Sequence, residues 1–98
     1  MKNGLLEFEW DPKKAPRNLR KHRVSFEEAA SVFNDDFATV YEDPDHSPHE
    51  RRYLSIGASA RGRLLIIAYS YRGVRIRIIS ARQVTKQERE TYEEEEDR

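Results

Sequence analysis

The chain has 98 residues, with 18 Lys or Arg, 18 Asp or Glu, four Gly, four Pro and no Cys, enough for one hydrophobic core and no second. The lack of cysteine excludes disulfide scaffolds, thiolate metal centres and thiol nucleophiles, and the longest apolar run, Leu64 to Ala68, falls far short of the roughly 20 residues that span a bilayer. The zero net charge is a cancellation: Lys13, Lys14, Arg17, Arg20, Lys21 and Arg23 lie together without an acid, residues 27–50 carry eight acids and no Lys or Arg, and residues 61–89 carry eight bases against Glu88 alone.

Such sorting suits a basic surface for phosphate beside acidic faces for solubility or for a basic partner. Salt-bridged, solvated faces are the plainer alternative. Residues 1–20 hold Glu7, Glu9 and Asp11 where a secretory signal needs an apolar run, so the expected compartment is the cytoplasm.

Residues 5–10, Leu-Leu-Glu-Phe-Glu-Trp, set Leu6, Phe8 and Trp10 against Leu5, Glu7 and Glu9 with the period of a half-buried strand. Asp11 followed by Pro12 opens a helix. Pro16 would remove a hydrogen bond at the fifth helical position, which moves the regular start toward Pro16 and leaves the end near His22. Ser25 and Glu28 form a capping box, and Phe26, Ala29, Ala30 and Phe33 follow at helical spacing to about Asn34. Thr39 to Tyr41 read as a short strand and Asp43 to His49 as a loop. Arg52 to Ala58, Arg63 to Tyr71 and Val74 to Arg82 read as strands whose short connections, Ser59 to Gly62 and Arg72 to Gly73, make an antiparallel meander. Thr85 and Glu88 form a second capping box for a helix through Tyr92. The expected architecture is α+β: a mainly antiparallel sheet, two N-terminal helices on one face and a C-terminal helix. One domain spans residues 1–92, and the acidic tail, 93–98, frays.

In the last strand Val74, Ile76 and Ile78 face one way and Arg75 and Arg77 the other. In the strand before it, Arg63 and Tyr69 share a parity with Leu65 and Ile67. If register joins these parities, the less covered face shows arginine and tyrosine together, a platform for phosphates and bases. The alternative is cross-strand packing in which arginine stems cover the sheet and their heads reach the acids of residues 27–50. His22 stands four residues after Asn18 on one helical face, beside Arg20 and Lys21. Imidazole suits proton transfer near neutrality, although a histidine at a helix C-terminus is also favoured by the macrodipole alone. His46 and His49 lie three apart among acids in a proline-containing loop, a spacing that fixes no metal geometry. There is no Gly-rich phosphate loop and no nucleophile elbow.

Five motifs stand in order over residues 5–92: Phe8-Glu-Trp-Asp-Pro12; Asn18 to Phe26 continuing Glu-Glu-Ala; Glu50-Arg-Arg-Tyr53 with Ile56-Gly57; Ile76-Arg-Ile-Ile-Ser-Ala-Arg82; and Glu88-Arg89 with Tyr92. In that set the chain resembles BrnT-type toxins. The resemblance implies a RelE-like fold and a ribonuclease toxin of a bacterial type II toxin-antitoxin module that cleaves RNA and stops translation. It also implies a BrnA-like antitoxin partner whose ribbon-helix-helix domain binds operator DNA, so that the toxin meets DNA only through that complex; that no membrane partner is expected follows from the short apolar runs. BrnT-like sequences commonly carry glycine after the Lys-His pair, where this chain has Arg23, and a good helix former is usual where it has Pro16. A left-handed Arg23 would cost on the order of 1 kcal/mol.

RNA cleavage without metal or cofactor uses the substrate's 2′-hydroxyl as nucleophile. It needs charge at the developing oxyanion, a proton acceptor and a proton donor. The expected assignments are Arg77 and Arg82 for the charge, and His22 or Glu50 for proton transfer. Lys21, Arg63, Tyr69 and Arg75 would hold flanking phosphates and bases. Arg77 and Arg82 have opposite strand parity, so they converge only if the strand ends or bulges near Ser80. The competing reading is a non-catalytic basic module that acts as antitoxin partner and corepressor.

Overall fold

The computed structural model describes residues 6–44 and 50–96. After strand β1 (Glu7–Glu9), the Asp11 carboxylate accepts the Lys13 N–H at 2.8 Å and its carbonyl accepts the N–H groups of Lys14 and Ala15. The regular helix α1 (Lys14–His22) follows that turn. Pro16 is therefore its third residue, where an N–H has no intrahelical partner to lose, so the proline does not delay the helix. Arg23 ends α1 in the left-handed region, at φ 58° and ψ 34°, and is the one non-glycine with positive φ among the described residues.

Ser25 caps α2 (Phe26–Ser31), its Oγ accepting the Glu28 N–H at 3.0 Å. The other half of the expected capping box is missing, because the Glu28 carboxylate turns inward to Arg63 and Ser59. From Val32 to Asn34 the helix tightens into a 3-10 turn. Strands β3 (Tyr53–Ala58), β4 (Leu64–Arg72) and β5 (Arg75–Gln83) form the expected antiparallel meander, and β2 (Thr39–Glu42) extends it by pairing antiparallel with β3. β1 adds in parallel outside β5, giving the order β1-β5-β4-β3-β2. The β4–β5 turn is Gly73-Val74, one residue later than the sequence spacing suggests, because Arg72 pairs with Arg75 and Gly73 takes positive φ. Val74 consequently sits exposed in the turn instead of on the core face.

Leu65, Ile67 and Tyr69 of β4 and Ile76, Ile78 and Ala81 of β5 make one face of the sheet, buried against Val24, Phe26, Ala29 and Val32. On the opposite face Tyr92 of α3 (Lys86–Glu96) packs on Ile56 and Leu64. The second face is thus covered at one end and open at the other. Helix α3 runs four residues beyond Tyr92, with an Arg89–Glu93 pair at 3.7 Å across one turn. Among the described residues, no helix is long and apolar enough to cross a membrane.

Candidate functional site

Between Ala68 and Tyr69 the β4–β5 register shifts: Ala68 pairs with Ser80 but Tyr69 with Ile78. Ile79 is the extra residue of a β-bulge, and it reverses the parity of everything after it. Ser70, Ala68 and Ile66 lie on one face of β4, and their register partners are Arg77, Ser80 and Arg82. The bulge therefore brings Arg77 and Arg82 to the same face, away from α2, at the place where convergence required one.

Each arginine of this face meets a carboxylate. Arg77 donates from Nη1 to Glu9 at 2.6 Å. Asp11 is close enough that Arg77 helps hold its carboxyl below the usual range, after the Lys13 N–H and the Lys14 charge. Arg82 makes a two-pronged pair with Glu88, both bonds 2.9 Å, and its Nη1 also reaches the Gln83 carbonyl at 3.2 Å. That pair drives the Glu88 carboxyl down to about 2 and raises Arg82. Glu50 accepts from the buried Ser70 hydroxyl at 3.0 Å and from Arg72 at 2.9 Å, and the Ser70 bond is the chief reason its carboxyl is lowered. Arg75 stands 3.8 Å from Glu7. An arginine has five N–H donors. Arg77 commits one to a side chain among the described residues, whereas Arg82 is clamped along the whole edge of its fork.

Helix α1 lies along the part of β5 that β1 leaves unpaired. Buried Asn18 fixes it there. Its amide oxygen accepts the Ala81 N–H at 3.1 Å, and its Nδ2 donates to the carbonyls of Ala81 and Val24 at 2.8 and 2.9 Å. The side chain thus takes the place of a neighbouring strand at one residue. Between helix and strand is a shallow cleft of about 230 Å³ lined by Lys14, Arg17, Asn18, Lys21, His22, Ile79 and Ser80. Lys14, Arg17 and Lys21 are at i, i+3 and i+7, one stripe of the helix. Among the described residues, no carboxylate is within ion-pair distance of Lys13, Lys14, Arg17, Arg20, Lys21 or Arg23.

Arg77, Arg75 and Glu50 thus share the open part of this sheet face, Arg82 stands on the same face under α3, and Lys21 and His22 lie at its edge beside Ser80. Two expected residues fall elsewhere. Arg63 belongs to the covered side: it donates to Glu28 from Nε and Nη2, and Nη2 also reaches the Arg23 carbonyl at 2.8 Å. Tyr69 is 2% exposed, wedged among Phe33, Tyr53 and Tyr71 with ring centroids 5.0 to 5.9 Å apart. Burial pushes its phenol up to about 12. No base can stack on it; its parity with Leu65 and Ile67 marks the core face, not the open one. His46 and His49 lie outside the described residues. Among those described, no three His, Cys, Asp or Glu side chains gather as metal ligands. The sequence reading passed over Lys14, Arg17 and Glu9. The helical stripe was a usable signal for the first two; the parallel pairing that sets Glu9 against Arg77 had none.

Comparison with protein families matches residues 10–88 to the family described as "Ribonuclease toxin, BrnT, of type II toxin-antitoxin system". The fold is similar to the crystal structure of the Brucella abortus ribonuclease toxin, BrnT, with a TM-score of 0.64 at 20% sequence identity over 83% of this chain and 99% of that one. Comparison with curated proteins returns no match.

Proposed function

The chain belongs to the BrnT family of ribonuclease toxins of type II toxin-antitoxin systems, and from that premise we propose that it cleaves RNA at the β5 bulge by a metal-independent route, stops translation in the cytoplasm, and is silenced by a BrnA-like antitoxin. The observation that carries the reading is the junction at Ser80, where the cations of α1, with no acid within ion-pair distance among the described residues, meet the face that bears Arg77. Lys14, Arg17 and Lys21 attract and track the phosphate backbone. Arg77, with donors to give, faces the scissile phosphate and stabilises the oxyanion as the 2′-oxygen attacks the phosphorus and the 5′-oxygen leaves. His22 takes or returns the proton. Glu50 is the weaker base of the two candidates, since Ser70 and Arg72 already hold its carboxylate. The RelE-like label belongs to the same proposal, and the five-stranded, mainly antiparallel sheet with its helices is what supports it.

Arg77→Ala should lower RNA cleavage by about 100-fold or more and abolish growth arrest, while the fold stays intact with a stability loss of about 1 kcal/mol from the broken pair with Glu9. Full toxicity of the folded variant would remove Arg77 from the mechanism. A second reading, a non-catalytic corepressor, draws on the carboxylate beside every arginine of the open face. It expects RNA to be bound and protected, with affinity falling as salt rises, and no cut ends.

A further inference from the structure

We propose that Glu9 is a positioning residue for Arg77, holding one edge of the guanidinium so that the remaining donors point at the RNA phosphate; this rests on the ribonuclease reading above. β1 is three residues long, yet its middle is nailed down on the core side: the Phe8 ring lies 5.3 Å from Phe33 and the Trp10 ring 5.8 Å from Phe26. With both neighbours fixed inward, alternation sends Glu9 outward to the open face. Parallel pairing then places it opposite Arg77, and the two side chains meet at 2.6 Å, each less than one-third exposed. An arginine side chain has four rotatable bonds and no fixed tip on an open sheet face. A carboxylate at one Nη removes that freedom while leaving most donors unoccupied. The contrast is Arg82, whose fork is filled by Glu88 and which ties α3 to the sheet. Among the described residues Arg77 makes its ion pair with Glu9 and none with Asp11, so Asp11 does not duplicate the hold.

A positioning carboxylate carries an opposing effect on binding, because its charge repels phosphate. The two effects separate in one experiment. Cleavage is followed under single-turnover conditions on free RNA and on translating ribosomes, and affinity is read with a 2′-O-methyl RNA of the same sequence that cannot be cut. Glu9→Ala should slow cleavage about 10-fold or more, since even a small misplacement of a reacting group has effects of that size. It should nevertheless bind the uncut RNA about twofold tighter, one like charge having gone. Glu9→Gln, which keeps an acceptor oxygen at the same reach, should cleave within about threefold of the native rate and also bind tighter. Glu9→Asp, which keeps the charge but draws it back by one methylene, should slow cleavage as alanine does with affinity unchanged, and it decides the matter if the alanine variant does not fold. Native rates for Glu9→Ala or Glu9→Asp overturn the proposal. So does a parallel loss of rate and affinity, which means that Glu9 serves only stability. If the native chain cuts RNA in neither setting, the ribonuclease reading falls and the proposal with it.

Discussion

Replacing Arg63 by alanine separates a structural strut from an RNA ligand. The Glu28 side chain it pairs with is only 5% exposed, and Arg63 is the first cause of that carboxyl's lowered pKa. Without the guanidinium the carboxylate keeps the Ser59 hydroxyl at 2.7 Å and Arg61 at 3.6 Å, a side chain that is 70% exposed and free to move closer. Breaking a buried ion pair from one side costs about 3 to 5 kcal/mol. Partial replacement by Arg61 returns about 1 kcal/mol of that, and the lost bond to the Arg23 carbonyl adds about 1 back. The two corrections cancel and the expected loss is about 4 kcal/mol, a large part of the roughly 5 to 15 kcal/mol that holds such a domain folded. Urea unfolding at 25 °C and pH 7 measures it. RNA affinity, taken at a temperature where the variant is almost wholly folded, should stay within about twofold of native, Arg63 making none of the phosphate contacts that set affinity. A variant as stable as the native chain that binds RNA tenfold more weakly would return Arg63 to the RNA interface and refute the strut.

Arg23→Gly should raise stability by about 1 kcal/mol, or roughly 4 to 8 °C in melting temperature, because glycine holds φ 58° without the steric cost an arginine incurs; a lower melting temperature would contradict it. Glu88 is depressed from 4.5 to about 2 by Arg82, so its contribution is present above 4.5 and is lost as pH falls toward 2. Discounted for its partial exposure, the contribution is about 1 kcal/mol. Glu88→Gln should therefore lower stability at pH 7 and converge on the native curve near pH 2, and a gap that stays constant with pH would argue against the pair. Cleavage should persist in EDTA, and His46→Ala with His49→Ala should cut RNA at the native rate; activity lost in chelator and restored by one metal would revive that loop as a ligand set.

Most of the fold was legible because its signals are local. The Ser25 and Thr85 caps and the short connections of the meander fix the last strands and two helix starts without reference to distant residues. The left-handed Arg23 was open only as a condition, through the glycine that the resemblance puts at that position, and the structure meets that condition at φ 58°. The misreadings share a cause. Arg63 and Tyr69 were assigned a face by parity, but which parity faces the helices depends on strand pairing far along the chain. Tyr69 points inward because Phe33, from a different element, packs on it. The bulge at Ile79 left only a condition in the sequence, that Arg77 and Arg82 meet if one exists, since a bulge is a property of two strands in register. β1 was visible as a strand, but its parallel place beside β5 was not, and with it went the partner of Arg77.

The two cationic surfaces differ in what they can do. On the open sheet face Arg72, Arg75, Arg77 and Arg82 stand against Glu50, Glu7, Glu9 and Glu88, so the face is nearly neutral at a distance and attracts a polyanion weakly. Along α1, six basic side chains have no acid within ion-pair distance among the described residues, and their field reaches out to about a Debye length. On the proposed ribonuclease reading, long-range capture of RNA therefore falls to the helix. On the same reading the sheet arginines would act only at contact, where one phosphate must displace or share a carboxylate. Such an arrangement favours a bond made late: Arg77 gains most when the phosphate carries extra charge, and least against the resting strand. Interactions of that kind raise rate more than they tighten binding.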